Sequence, residues 1–387
     1  MPVFWIVCAA AGLVYWTVQL LLVKRVLSNV AGLSRACRTQ TGASVSVIVP
    51  ARNEEADLEA ASLSKLADCG SACELLLLDD RSSDKTGGIA DRLAAGDSRV
   101  KTIHIRELPP GWLGKVNALN EGARLARGEW LLFSDADVYF RPGAVAAAVE
   151  YAQSRGLDHL AVIPRLENAG LLTDSAISVF VRLMALAPGI YNAGKPGAKS
   201  AIGIGAFNLV RREFFARTPG FEWLRLEVID DMGLALLVRT HGGKSAVADG
   251  TQFVSLHFYR TLSQLRHGVE KGVFSGAQYS PAALFAGTAI FWLAEMSPLA
   301  GLVWGGAAAK LAGAIALCAA VYCCVLMNSW NGRGVFSAIL FPVGDTLGAA
   351  LALWAGLRPM LSGRIKWRDT EYSLAELEKN RRFSFRG

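Results

Sequence analysis

Two carboxylates one residue apart, Asp135 and Asp137, follow the run Trp130-Leu131-Leu132-Phe133-Ser134. A short apolar run of this kind reads as a buried strand. In an open α/β sheet, ligands bind beyond the carboxyl ends of the strands. An Asp-X-Asp pair there can hold a hard divalent cation, and the cation can hold a diphosphate. Taken alone, two acidic residues fit a solvated turn equally well. The neighbouring clusters bear on the choice. Pro50-Ala51-Arg52-Asn53-Glu54-Glu55 and Asp79-Asp80-Arg81-Ser82-Ser83-Asp84 each close a further apolar run. Polar residues thus recur at three successive strand ends, which scatter alone seldom produces.

Four other places carry chemistry. Leu108-Pro109-Pro110-Gly111-Trp112-Leu113 is a loop by its Pro and Gly content, and Gly114-Lys115 opens a helix. N–H groups at that helix start, with the Lys115 ammonium, suit a phosphate, although the Walker spacing is absent and a solvated loop lysine looks the same. Asp230 and Asp231 open a helix to Thr240. They are either a cap and a dipole partner or, for one of them, a general base for an acceptor hydroxyl. His257, in His257-Phe258-Tyr259-Arg260, is a metal ligand or an ordinary strand-end histidine. Gly203, Gly205 and Asn208 make Ala201–Val210 a small-residue strand that lets a ligand approach backbone.

The elements that must position these groups are strands at Ser44–Pro50, Glu74–Asp79, Val100–Ile105, Trp130–Ser134 and His159–Pro164, with helices over about 55–67, 85–95, 115–127 and 142–154. Alternation of this kind predicts an α/β fold with a mostly parallel sheet flanked by helices. Residues 172–192, with Arg182 and Lys195 at the edges, are too interrupted to span a bilayer. They are either core or an amphipathic element on a membrane surface, and tethering of the domain at both ends favours the surface.

The chain of 387 residues is 52% apolar and 19% charged, with a mean hydropathy of +0.32. That excludes an ordinary soluble enzyme and a pure membrane bundle alike. Residues 4–23 are uncharged, and about 20 apolar residues cross a bilayer. With no basic stretch before them and no small-residue cleavage site after them, they read as an uncleaved anchor. Lys24, Arg25, Arg35 and Arg38 put its C-terminal side in the cytoplasm. Apolar stretches recur at 282–304, 306–327 and 335–357. Three full spans would leave the tail outside, whereas Arg358, Arg364, Lys366, Arg368, Arg381 and Arg382 argue that it is inside. One stretch is therefore not a span. Glu295 and Pro298 point to the first as re-entrant or interfacial, and Asp345 in the last must face protein or a cavity.

The net charge of +7 fits a protein lying against anionic lipid. Nucleic acid is not an expected partner, because no basic run is interleaved with aromatics. The seven cysteines lack zinc spacing and read as reduced thiols. The expected layout is an N-terminal transmembrane anchor (1–25), a soluble α/β domain (44–260), an interfacial helix (261–281), a C-terminal transmembrane region (282–360) and a basic cytoplasmic tail (361–387).

Taken together, Val47-Ile48-Val49-Pro50-Ala51-Arg52-Asn53-Glu54-Glu55, Asp79-Asp80-Arg81-Ser82-Ser83-Asp84, Asp135-Ala136-Asp137 and Asp230-Asp231 resemble a family 2 glycosyltransferase with the nucleotide-sugar-binding GT-A fold over about residues 44–272. The Pro-Pro-Gly-Trp-Leu-Gly-Lys segment, Tyr259-Arg260 with Gly268 and Lys271, and the apolar C-terminal segments resemble the membrane-anchored branch with carotenoid- and hopanoid-associated enzymes. The resemblance implies a nucleoside pocket lined by Pro50, Arg52, Glu54 and Asp80, with Asp80 facing the base and Lys115 near the diphosphate. It implies Asp135 and Asp137 around the ribose and a Mg²⁺ or Mn²⁺ ion, and Asp231 as catalytic base. Asp230 stands where the family usually has Glu. Gln264-Leu265-Arg266-His267-Gly268 does not match the Gln-X-X-Arg-Trp motif of processive synthases, which argues against a polymerase.

The expectation is a metal-dependent, inverting transferase on the cytoplasmic face of a membrane, using a nucleotide sugar, with a UDP-sugar preferred, and a membrane lipid acceptor. Its rivals are a polyprenyl-phosphate glycosyltransferase, a polysaccharide synthase and a silent nucleotide-sugar-binding scaffold.

Overall fold

The computed structural model describes residues 2–34, 42–70, 73–186, 189–192, 201–367 and 370–383. Arg35, Cys37, Arg38, Lys195 and Arg368 lie outside the described residues. After helix α1 (Pro2–Asn29) the chain runs β1 (Val45–Ala51), α2 (Leu58–Cys69), β2 (Cys73–Asp80), α3 (Thr86–Gly96), β3 (Val100–Ile105), α4 (Gly114–Leu125), β4 (Trp130–Phe133) and β5 (Val138–Phe140). It continues with α5 (Ala144–Ser154), β6 (His159–Ile163), β7 (Arg165–Leu166), α6 (Leu171–Leu186), β8 (Asn208–Arg211), α7 (Arg212–Phe215), α8 (Asp230–Thr240), β9 (Ser245–Asp249) and β10 (Val254–Leu256).

The main sheet has the order β3-β2-β1-β4-β8-β6-β9 and is parallel except for β8, which runs against both neighbours. Every residue of β1 is buried, because helices cover both faces and a strand so covered must be apolar on both. That is why Val45–Ala51 and Cys73–Asp80 read as continuous runs rather than alternating ones. A second sheet, β5-β10-β7, lies beside the main one.

Ala201–Val210 is not one strand: pairing starts at Asn208, and Ala201–Phe207 is irregular. The reason is packing. A Cβ on Gly203 would lie 1.7 Å from the Asp231 carbonyl oxygen, and one on Gly205 would lie 2.7 Å from Asp135 Oδ2. The glycines serve close approach to the acidic residues, not a ladder.

The C-terminal part comprises α9 (Leu262–Gly276), α10 (Pro281–Trp304), α11 (Ala307–Asn331), α12 (Val335–Ile339) and α13 (Phe341–Ser362). Then come the hairpin β11 (Arg364–Trp367) and β12 (Thr370–Ser373), and α14 (Leu374–Asn380). Three helices are long and apolar enough to cross a membrane: Val3–Asn29, Pro281–Trp304 and Ala307–Asn331.

The expectation that the 282–304 stretch is re-entrant is therefore corrected. The Glu295 that suggested it is fully buried and held by Arg182 of α6, with Nη1 2.9 Å from Oε1 and Nη2 2.7 Å from Oε2. The Tyr15 hydroxyl of α1 donates to the same carboxylate. A charge so paired does not forbid a membrane helix. The 335–357 stretch, by contrast, breaks into α12 and α13. Asp345 does face protein, with Oδ1 3.5 Å from Arg182 Nη2. Segment 171–186 forms α6, whose Arg182 points into this bundle, so the helix bridges the α/β domain and the apolar helices rather than lying free on a surface.

Candidate active site

The first two polar clusters are laced together at the carboxyl edge of the sheet. Asn53 N–H donates to Ser82 Oγ at 3.1 Å, Glu54 N–H to Thr86 Oγ1 at 2.8 Å, and Ser83 N–H to Asn53 Oδ1 at 2.8 Å. Asn53 and Arg81 both adopt left-handed backbone, with φ of 55° and 56°. For non-glycine residues such φ values mark local strain held by the surroundings. The turn at Arg81 brings its guanidinium back onto Asp80, with Nε 2.7 Å and Nη2 3.1 Å from the carboxylate oxygens. Arg52 Nη1 lies 3.8 Å from Asp80 Oδ2. Pro50 is buried near the end of β1, and Glu54 is half-buried in the loop that follows. These four residues, Pro50, Arg52, Glu54 and Asp80, line one pocket edge.

The second group centres on Lys115, at the first turn of α4. Its Nζ is 2.8 Å from Asp135 Oδ1 and 3.2 Å from Asp230 Oδ2. Burial alone would favour the neutral amine, but the charges of Asp135, Asp230 and Asp231 outweigh it and hold Lys115 protonated well above its ordinary range. Asp231 accepts the Gly205 N–H at 3.0 Å through Oδ2 and the Met232 N–H at 2.8 Å through Oδ1. Burial and the charge of Asp230 push its carboxyl up to about 6, against the pull of Lys115. Asp230 and Asp231 are thus part of the site, not merely a helix cap. Lys115, Asp135, Gly205, Asn208, Asp230 and Asp231 surround a small cleft.

Asp137 lies on the other side of Asp135. Its carboxyl is pushed up to about 6 by burial and by the Asp135 charge. Strand β10 pairs antiparallel with β5, Leu256 facing Val138. One further step in that register sets His257 opposite Asp137. His257 Nδ1 is buried and has no hydrogen-bond partner. A crowded carboxylate pair and an orphaned imidazole nitrogen are the donor set a divalent cation requires. No three His, Cys, Asp or Glu side chains converge on one point among the described residues. A cation here would draw its remaining ligands from phosphate oxygens and water.

Three contributors escaped the motif reading. Lys65 is fully buried beneath the acidic pair, donates to the Val138 carbonyl, and is lowered to about 8 by burial, with the charges of Asp137 and Asp135 opposing. Its signal was present: Leu58, Ala61, Ser62, Lys65, Leu66 and Cys69 form the buried stripe of α2, and a lysine does not belong on such a stripe without a partner. Asp57 accepts from Tyr139 at 2.9 Å and pairs with Arg260 at 2.7 Å, tying the Tyr259-Arg260 segment to the site. Gly268 is needed because a Cβ there would meet the Tyr259 hydroxyl at 2.0 Å.

Residues 46–218 match the family model for glycosyl transferase family 2. The chain carries a family 2 glycosyltransferase domain. Among the relatives of this glycosyltransferase, 4,4'-diaponeurosporenoate glycosyltransferase of Staphylococcus aureus (strain MRSA252) is 22% identical over 260 residues, 67% of this chain and 68% of that protein. The uncharacterized glycosyltransferase EpsJ of Bacillus subtilis (strain 168) is 33% identical over 114 residues, 30% of this chain and 32% of that one. Among solved structures, mannosyltransferase PcManGT from Pyrobaculum calidifontis, in complex with GDP-Man and Mn²⁺, superposes with a TM-score of 0.54 at 17% identity. The match covers 93% of this chain and 98% of that one. The likeness establishes the shared GT-A fold.

Proposed function

We propose that this glycosyltransferase moves a sugar from a nucleoside-diphosphate sugar to a hydroxyl or carboxyl of a membrane lipid, with inversion and with help from Mg²⁺ or Mn²⁺. The observation that carries the reading is the juxtaposition of Lys115 with Asp135, Asp230 and Asp231 in one cleft. In the reaction the acceptor oxygen bonds to the anomeric carbon, the bond from that carbon to the diphosphate oxygen breaks, and the acceptor proton passes to Asp231. One base on the face opposite the leaving group gives direct displacement with inversion. A carboxyl near 6 is ionised at neutral pH yet basic enough to take a proton in the transition state. Lys115 faces the diphosphate and offsets its charge, while Pro50, Arg52, Glu54 and Asp80 receive the nucleoside. Asp137, Asp135 and His257 would hold the cation, which supplies Lewis-acid neutralisation of the leaving group.

The relatives of known acceptor point toward lipid: the Staphylococcus protein's name specifies diaponeurosporenoate, a carotenoid acid. The helices support the same reading. The end of α11 meets the catalytic domain, with Trp330 Nε1 donating to Asp249 Oδ2 at 2.8 Å. The segment after α13 meets it too, with Arg382 and Phe383 N–H donating to Glu227 at 2.8 and 2.9 Å. Both flanks of α12–α13 are therefore on the catalytic side. We infer three crossings, α1, α10 and α11, with the catalytic domain and the C-terminal segment on the cytoplasmic face, where Lys24 and Arg25 also lie.

The test is lipid mass spectrometry on host membranes expressing wild type or Asp231→Asn, with manganese-dependent hydrolysis of a nucleotide-sugar panel alongside. A new sugar-bearing lipid with wild type alone supports the proposal. Nucleotide binding with neither transfer nor hydrolysis would make the domain a silent scaffold.

A further inference from the structure

The last twenty or so residues were expected as a basic tail; they fold against the donor side of the catalytic domain. Ile365, Tyr372 and Leu377 are buried in the same apolar cluster as Ile48, Leu78 and Leu113, the residues beneath the strand ends. The Tyr372 hydroxyl takes a hydrogen bond from the Gly114 N–H and lies near Arg81 and Asp80. Gly114 is itself pressed against this pair: a Cβ there would sit 2.3 Å from Asp80 Oδ2 and 2.6 Å from Arg81 Nη2. The far end of the segment is fastened by one carboxylate. Glu227 Oε2 accepts the N–H groups of Arg382 and Phe383, while its Oε1 accepts the Ile229 N–H at 3.1 Å. Ile229 precedes Asp230-Asp231. The Arg382 guanidinium stacks over Trp223 at 5.2 Å, and Phe383 is buried.

We propose that segment 364–383 is a strap that completes the donor site, with Tyr372 positioning the Gly114–Lys115 helix start toward the nucleoside diphosphate and Glu227 latching the strap to the Asp230-Asp231 loop. The inference rests on reading this cleft as the donor site. Its logic is geometric. The strap touches the two loops that donor binding must hold apart at a fixed distance, one bearing Asp80 and Lys115, the other bearing Asp230 and Asp231. A strap joined to both fixes their separation in a way that neither strand end does alone. Tyr372 and Glu227 are positioning residues, since they act through Gly114 and Ile229.

The experiment measures binding of UDP and of GDP, each with Mn²⁺, to the full-length chain in detergent, together with tryptic cleavage after Lys379, Arg381 and Arg382. Tyr372→Phe keeps the ring in the core and removes only the hydroxyl. We expect it to weaken nucleotide binding about fivefold, the size of one net hydrogen bond, with an unchanged melting temperature. Glu227→Gln is expected to speed tryptic release of the strap, and nucleotide is expected to protect the strap in wild type but less so in Glu227→Gln. Unchanged affinity in Tyr372→Phe would reduce the strap to a fold element, and tighter binding would make it a competitor for the Gly114 N–H; either result overturns the proposal. Wild type that binds neither nucleotide would overturn the donor-site reading itself and the strap with it, a result distinct from variants that bind like wild type.

Discussion

Asp231 and Asp137 are similar carboxyls, both near 6, raised first by burial and then by an acidic neighbour, and their assigned roles differ through their partners. Asp231 is fixed by two backbone N–H groups beside Lys115, which suits a base of fixed aim. Asp137 lies opposite His257 in the β5–β10 register, which suits a cation. Two predictions follow at this scale. Asp231→Asn should keep nucleotide binding within about twofold and lower kcat by roughly 10²–10⁴, the usual worth of a positioned base. The pH profile of wild-type kcat should fall on the acid side near pH 6, because Asp231 protonated below that value cannot accept a proton, and the limb should vanish from any residual Asp231→Asn activity. Asp137→Ala should abolish the Mn²⁺ dependence of donor turnover; a variant whose turnover still rises with manganese would remove Asp137 from the metal role.

Among the elements, the unpaired run Ala201–Phe207 matters more than any regular strand. Its two glycines let the backbone lie against Asp231 and Asp135, so Gly205 N–H can hold Asp231 from one side while Lys115 meets Asp135 from the other. A Cβ on Gly203 overlaps the Asp231 carbonyl, and overpacking of this kind shifts backbone rather than side chain. Gly203→Ala should therefore cut kcat more than tenfold with a smaller change in donor KM. Steady-state hydrolysis of the preferred nucleotide sugar measures both, and an equal loss in the two parameters would place the defect in binding instead. Helix α2 shows the converse device, a lysine on its apolar stripe set under the acidic pair at the edge of the sheet.

The whole molecule is joined by a buried cluster in which Arg182 of the catalytic domain meets Glu295 of α10, Asp345 of α13 and Tyr15 of α1. Removing one partner of a buried ion pair leaves the other uncompensated and costs roughly 3–5 kcal/mol. Glu295→Gln should lower the thermal midpoint of the detergent-solubilised chain by several degrees, read by intrinsic fluorescence; an unchanged midpoint would show that the cluster is not a fastening. The same packing sets the number of crossings. A cysteine placed at Gly306, in a chain stripped of its native cysteines, should react with an impermeant thiol reagent from outside intact cells, whereas one placed at Glu378 should react only after lysis. The opposite pattern at Glu378 would return α13 to the list of crossings.

The sequence by itself determined the nucleotide-sugar-binding class of this protein. Val45–Ala51, Cys73–Asp80 and Trp130–Phe133 are buried on both faces and so are legible as apolar runs, and the polar residues that end them stand at the strand tips by chain geometry alone. Asp80, Asp135, Asp137 and Lys115 are local in that sense, and helix α8 begins at Asp230 as its sequence indicates. Tertiary structure alone decided what joins distant parts of the chain. The Arg182–Glu295 pair spans 113 residues, Glu227 meets Arg382 across 155, and Lys65 reaches Val138 across 73. Periodicity reports which face of an element is covered, but not by what. Hence Glu295 read as a charge that no membrane helix would keep, and residues 364–383 read as a solvated tail. Each changes meaning only when its partner is in place, because a buried charge or a segment end is stabilised by the group opposite and not by its neighbours in sequence.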